Sequence, residues 1–220
     1  MITKKITRDR IKAFVTRHGS EGRTLDIGCQ NSAYANFFPN RVGLDIKPGN
    51  GVDVVGDAHK LPFKDNEFDN VLCTEVLEHL HTPAVAVAEM ARVLKDGGTL
   101  ILTTRFMFPI HDAPDDYFRY TKYGLKYLFK DWEILELQEE TSVMETFAVL
   151  LQRLGYQSSL KGGKLTKAIV FICARIVSKL SWVLKKGYGD IERTSREDNF
   201  MSSGYYLAAQ IRKDRALSGN

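Results

Sequence analysis

The sequence predicts an α/β fold, a mostly parallel sheet flanked by helices. Short apolar runs alternate with helical patterns through the first 140 residues, as expected of strands joined by helical crossovers. Two of these runs, Thr24–Leu25–Asp26–Ile27 and Gly43–Leu44–Asp45–Ile46, carry an acidic residue where the strand is expected to meet its turn. A glycine-bearing strand-to-helix turn answered about 20 residues later by an acid closing the next strand is how a βαβ unit holds a nucleoside.

Taken in order, residues 6–18 read as an opening amphipathic helix, with Ile6, Ile11, Phe14 and Val15 on its apolar face. Strands are expected at 24–27, 41–44, 52–55, 70–74, 99–103 and 132–137, and a last one at 204–211. Thr82–Pro83 starts a helix with body 84–94, and Gly97–Gly98 is read as its stop, the N-cap, N1-proline and C-terminal glycine pattern. Thr121 caps a short helix through Phe129. The segment from 146 to 189 contains no acidic residue but eight basic ones. It is helical in character, with Gly155 and Gly162–Gly163 read as breaks.

At 220 residues the chain is expected to form one domain, with the segment at about 144–189 as a helical insert. A net charge of +4 is too mild to imply nucleic acid by itself. Three cysteines, Cys29, Cys73 and Cys173, are odd in number and lack metal-ligand spacing, so free thiols are expected. Met1–Ile2–Thr3–Lys4–Lys5 has no apolar core behind it, which argues against a signal peptide. No apolar run is long enough to span a bilayer, and the expected location is cytoplasmic.

The first turn reads Gly28–Cys29–Gln30–Asn31–Ser32. A pyrophosphate cradle wants several glycines so that the backbone can approach the phosphates; here there is one. Asp26 is expected to add a carboxylate to the turn, repelling phosphate and attracting a cation. The implied ligand is ribose-bearing, phosphate-free and positively charged, which describes S-adenosylmethionine and excludes a dinucleotide dehydrogenase.

Four segments in register carry a family resemblance: Leu25–Asp26–Ile27–Gly28–Cys29, Gly43–Leu44–Asp45, Gly56–Asp57–Ala58–His59–Lys60–Leu61–Pro62–Phe63, and the stretch from Phe68 through Glu75, Glu78 and His79 to Leu80. Together they resemble the class I S-adenosylmethionine-dependent methyltransferases, in the group acting on small molecules, lipids and glycans. Gln30 departs from the pattern, where a second glycine is usual. The resemblance implies a Rossmann-like, seven-stranded, mostly parallel sheet. It also implies a cofactor site made of Asp26, Gly28, Asp45, Ile46, Asp57, Ala58, Thr74 and Glu75. Asp45 would hold the ribose hydroxyls, and Asp57 and Ala58 would hold the adenine. No metal is expected: His79 and His81, two apart, do not face one another on a helix.

The segment Phe108–Pro109–Ile110–His111–Asp112–Ala113–Pro114–Asp115–Asp116–Tyr117–Phe118–Arg119–Tyr120–Thr121 is similar to a stretch found in a subset associated with cell-surface glycan or lipid pathways. His111 and Asp115 are the candidates for proton removal, with Tyr117 and Arg119 orienting the acceptor. A rigid loop with Arg119 paired to Asp115 is the competing expectation. Direct displacement at the methyl carbon is the mechanism implied, in which alignment supplies much of the acceleration.

Residues 168–174 followed by Arg175, Ser178, Lys179 and Lys186 suit docking on an anionic membrane surface at the inner face, and equally a lid or homodimer helix. RNA methylation ranks below these, since the basic residues are not interleaved with aromatics. A non-catalytic cofactor-binding or scaffold module is the remaining alternative.

Overall fold

The computed structural model describes residues 4–31 and 34–211. Seven strands form one sheet in the order β3-β2-β1-β4-β5-β7-β6. They are β1 (Thr24–Ile27), β2 (Arg41–Asp45), β3 (Val54–Val55), β4 (Phe68–Thr74), β5 (Leu94–Arg105), β6 (Glu133–Glu139) and β7 (Gly204–Gln210). The first five pair parallel, and β7 inserts antiparallel between β5 and β6. The Rossmann-like α/β expectation therefore holds. The chain runs outward from β1 to β2 and β3, then crosses back to β4 on the other side of β1, and that reversal opens a crevice at the strands' carboxyl ends.

Alternation along the strands divides the core between the two faces. Leu25, Ile27, Val71, Cys73, Leu100, Leu102 and Leu207 point to one face. There they meet α2 (Pro83–Val93) through Ala86, Val87, Met90 and Val93. α3 (Lys122–Leu128) joins them through Leu125. Leu72, Ile101, Tyr206 and Ala208 point to the other face and pack on α1 (Arg8–Arg17) through Ile11, Phe14 and Val15. Thr121 caps α3 as expected, accepting from the Gly124 N–H at 3.0 Å.

Strand ends differ from the sequence reading by several residues, and two departures have a direct physical cause. Helix α2 ends at Val93, ahead of the glycines, because Leu94 is already extended and pairs with Phe68. Residues 95–98 then bulge out of the ladder before Thr99 pairs with Asn70. Gly155 is not a break but lies inside α4 (Val143–Gln157). A Cβ there would sit 3.0 Å from the Phe171 ring of α5 (Gly163–Val177), so the glycine lets the two helices approach. Gly162, at φ +85°, does separate them. Lys186 and Trp182 fall beyond α5, and Trp182 is left exposed.

Candidate active site

The crevice holds a cavity of about 420 Å³. Gly28, Asp45, Ile46, Asp57, Ala58 and Glu75, all named from sequence, line it. Gly28 turns the chain at φ +72°, and a Cβ there would lie 2.3 Å from a Val76 methyl. Only glycine combines that backbone with that approach. Asp45, at the end of β2, accepts from the Lys47 N–H at 3.1 Å and the Gln30 N–H at 3.4 Å. Ile46 beside it remains 62% exposed, an apolar face turned out to the cavity rather than packed in the core. Asp57 takes both the His59 N–H and the His59 ring Nδ1 on Oδ1, at 2.9 and 2.7 Å. Burial raises its pKa, but these hydrogen bonds outweigh that and hold it below the usual carboxylate range.

Two expected cofactor residues stand apart. Asp26 is not in the turn but inside β1, 2% exposed, with Arg41 Nη1 3.3 Å from its Oδ2. Its charge thus meets a partly buried guanidinium beneath the loop. Thr74 stays in the ladder opposite Thr103, outside the cavity lining. Glu75 is held at φ +58°. It receives the Thr103 hydroxyl at 2.9 Å and pairs with Arg105. Burial is the dominant influence and pushes its carboxyl up to about 8.

On the acceptor side, Asp115 and Tyr117 line the cavity, joined by a 2.9 Å bond from the Tyr117 hydroxyl to Asp115 Oδ1. Arg119 pairs with Asp116 rather than Asp115, donating to both of its carboxylate oxygens at 2.6 Å. It also donates to the Phe108 and Pro109 carbonyls at 3.0 Å, so it braces the loop from within. His111 is set back from the cavity lining, with Nε2 3.8 Å from Glu78 and Nδ1 3.5 Å from Asp116. Burial holds its pKa down to about 4, so the ring is neutral near pH 7.

The lining also includes His59, Val76, His79, Leu80 and His81, none of which the sequence reading placed in the cofactor site. The rings of His59 and His81 stack at 4.1 Å. His59 occupies a variable position of the third matching segment, so its pattern gave no signal. His79 packs edge-on to His111, 4.7 Å between ring centroids.

A family described as a methyltransferase domain matches residues 25–102. That span holds the glycine turn, both strand-end acids and the Glu78–His79 segment. The chain belongs to the class I S-adenosylmethionine-dependent methyltransferases. It is 38% identical over 109 residues to a putative methyltransferase of Encephalitozoon cuniculi, covering 44% of this chain and 50% of that protein. It is 30% identical over 164 residues to the ubiquinone/menaquinone biosynthesis C-methyltransferase of Paraburkholderia phytofirmans, covering 72% of this chain and 65% of that one. The chain spans about half the length of the first curated relatives it matches. Its fold is shared with the Burkholderia thailandensis 1,6-didemethyltoxoflavin N1-methyltransferase, solved with S-adenosylhomocysteine. That likeness has a TM-score of 0.56 and 12% identity, and it covers 96% of this chain and 80% of that one.

Proposed function

We propose that this methyltransferase chain, acting as one domain, transfers the methyl group of S-adenosylmethionine to a hydroxyl-bearing acceptor. The acceptor class is a small molecule, a glycan or a lipid-linked molecule. The observation that carries the reading is the cavity at the strand reversal, where Gly28, Asp45 and Asp57 converge. A single-glycine turn gives no pyrophosphate cradle, while carboxylates at the ends of consecutive strands suit a ribose and an adenine amino group. Ile46 supplies an apolar face for the adenine ring.

The acceptor approaches from the side of Asp115 and Tyr117. Bound S-adenosylmethionine would supply an activated methyl group with a neutral thioether as leaving group, so the chain's own task is to align the acceptor oxygen with it. The acceptor proton passes to the Asp115 carboxylate. Arg119 positions that loop, and His111 supports it from behind. Calorimetric titration with S-adenosylmethionine and S-adenosylhomocysteine tests the cofactor half. A labelled-methyl screen over hydroxylated metabolites, glycans and lipid extracts tests the acceptor half. Binding without transfer to any of them would favour a non-catalytic module, and no binding would remove the reading.

A second reading concerns location. No helix among the described residues is long and apolar enough to cross a membrane. Yet α5 leaves Leu165, Ile169, Ile172 and Ile176 exposed, amid a segment that carries only basic charge. An apolar groove lined by Phe147, Leu150, Leu151 and Val177 lies beside it. We propose that this face docks on an anionic membrane surface. Attraction of about 1 kcal/mol per Lys or Arg near the surface would be screened by salt. Vesicle co-sedimentation should show a preference for anionic lipid that salt weakens. Absence of binding together with a concentration-dependent dimer would assign the face to a second copy.

A further inference from the structure

Behind the cavity wall, the 3₁₀ turn Leu77–His79 and the loop after β5 bring three metal-ligating side chains together. One ligand atom each of Glu78, His79 and His111 lies within 4.8 Å of the others. Glu78 is fully buried. Its Oε2 accepts from the Thr104 hydroxyl at 2.8 Å, but its Oε1 is buried without a hydrogen-bond partner. A buried, unpartnered carboxylate oxygen is costly unless a proton or cation answers it.

The two imidazoles are oriented as ligands. His79 Nδ1 lies 2.5 Å from the Asp115 carbonyl oxygen. A carbonyl only accepts, so Nδ1 carries the hydrogen, and Nε2 of the neutral ring offers its lone pair. His111 Nδ1 lies 3.3 Å from the Pro109 carbonyl and 3.5 Å from Asp116 Oδ2. Both are acceptors, which again places the hydrogen on Nδ1 and leaves Nε2 free, 3.8 Å from Glu78 Oε1. Imidazoles whose second nitrogen donates to a carbonyl or carboxylate are the arrangement seen around bound metals. Without an occupant, a carboxylate oxygen and an imidazole lone pair would face each other across a buried gap.

We propose that Glu78 Oε1, His79 Nε2 and His111 Nε2 form a site for a divalent transition cation, of which zinc, cobalt and manganese are the practical examples. Two imidazoles with one carboxylate suit borderline metals rather than calcium or magnesium. Donor atoms around a tetrahedral zinc sit about 3.3 Å apart, given bonds of about 2.0–2.2 Å. The 3.8 Å between Glu78 Oε1 and His111 Nε2 therefore needs to close by about 0.5 Å. His79 also lines the cavity, so the remaining coordination positions are open to water or to an oxygen of a molecule held there. Metal binding does not depend on the proposed methyl transfer, and the two can fail separately.

The test is titration of the tag-free, metal-stripped full chain with Co²⁺, read by visible absorption, with zinc as competitor. One equivalent should produce d–d bands that zinc abolishes. Glu78→Gln and His111→Ala should each weaken binding roughly tenfold or more, taking the effect of lesser changes around metal sites as a floor. His18→Asn, on the far surface, should bind as the unaltered chain does. Should the cluster variants fail to fold, zinc-edge X-ray absorption of the unaltered chain still decides. A shell of two imidazoles with a carboxylate supports the site; a shell with sulfur or without imidazole overturns it. No saturable uptake would also overturn it, leaving a proton as the occupant between Glu78 and His111.

Discussion

The backbone N–H of Gln30 donates to the Asp45 carboxylate across 3.4 Å, tying the loop after β1 to the acid that closes β2. The position where the family usually has a second glycine is thus anchored to the residue proposed to hold the ribose. Asp45→Ala should weaken S-adenosylhomocysteine binding by about 1.5–3 kcal/mol, the scale of hydrogen bonds to a charged group. Unchanged calorimetric affinity would detach Asp45 from the cofactor.

Gly28 meets Val76 with no room for a side chain. Gly28→Ala adds a Cβ at positive φ and against a branched methyl, so it should destabilise the fold by about 1–3 kcal/mol. Cofactor affinity should fall as well, because the same turn forms the cavity floor. Paired Gly28→Ala and Val76→Ala substitutions separate the two causes. If relieving the clash restores the melting temperature, backbone strain is the smaller part.

Arg119 holds its loop through four hydrogen bonds to Asp116, Phe108 and Pro109. Arg119→Lys keeps the charge but loses the planar fork that makes these contacts simultaneously. Turnover on the true acceptor should fall while cofactor affinity stays the same. Full activity in that variant would show that the loop takes no part in the acceptor site.

The residues legible in sequence are those whose roles are local. Asp45 closes β2 and Asp57 follows β3, so an apolar run leading to an acid was enough to place them. Asp26 was misplaced by one structural step: it lies within the strand, where Arg41 from the neighbouring strand answers its charge. Gly155 was read as a break because a glycine costs a helix about 1 kcal/mol, yet packing against Phe171 requires it. The ends of α2 and β5 were set by the pairing of Leu94 with Phe68, which no local pattern announces. Glu78 and His111 are far apart in the chain, and only the fold brings them face to face.

Glu145 joins two elements across the second face of the sheet. Its carboxylate accepts from the Ser142 N–H at 2.9 Å, closing the capping box of α4. It also accepts from Arg10 of α1 at 3.0 Å and 2.5 Å. Burial pushes its pKa up, but the Arg10 and Ser142 hydrogen bonds overcome that and hold it below its ordinary value. A depressed carboxyl stabilises the fold above its unfolded pKa of about 4.3, and that stability is lost as pH falls through the lower folded value. Glu145→Ala should therefore cost about 1–2 kcal/mol near neutral pH, the range for losing a helix cap with a partly exposed ion pair. Denaturant titrations of both proteins from pH 7 to pH 3 should show the gap narrowing once pH drops below about 4.3. A gap that stays constant across this range would mean that the capping geometry, and not the carboxylate charge, supplies the stability.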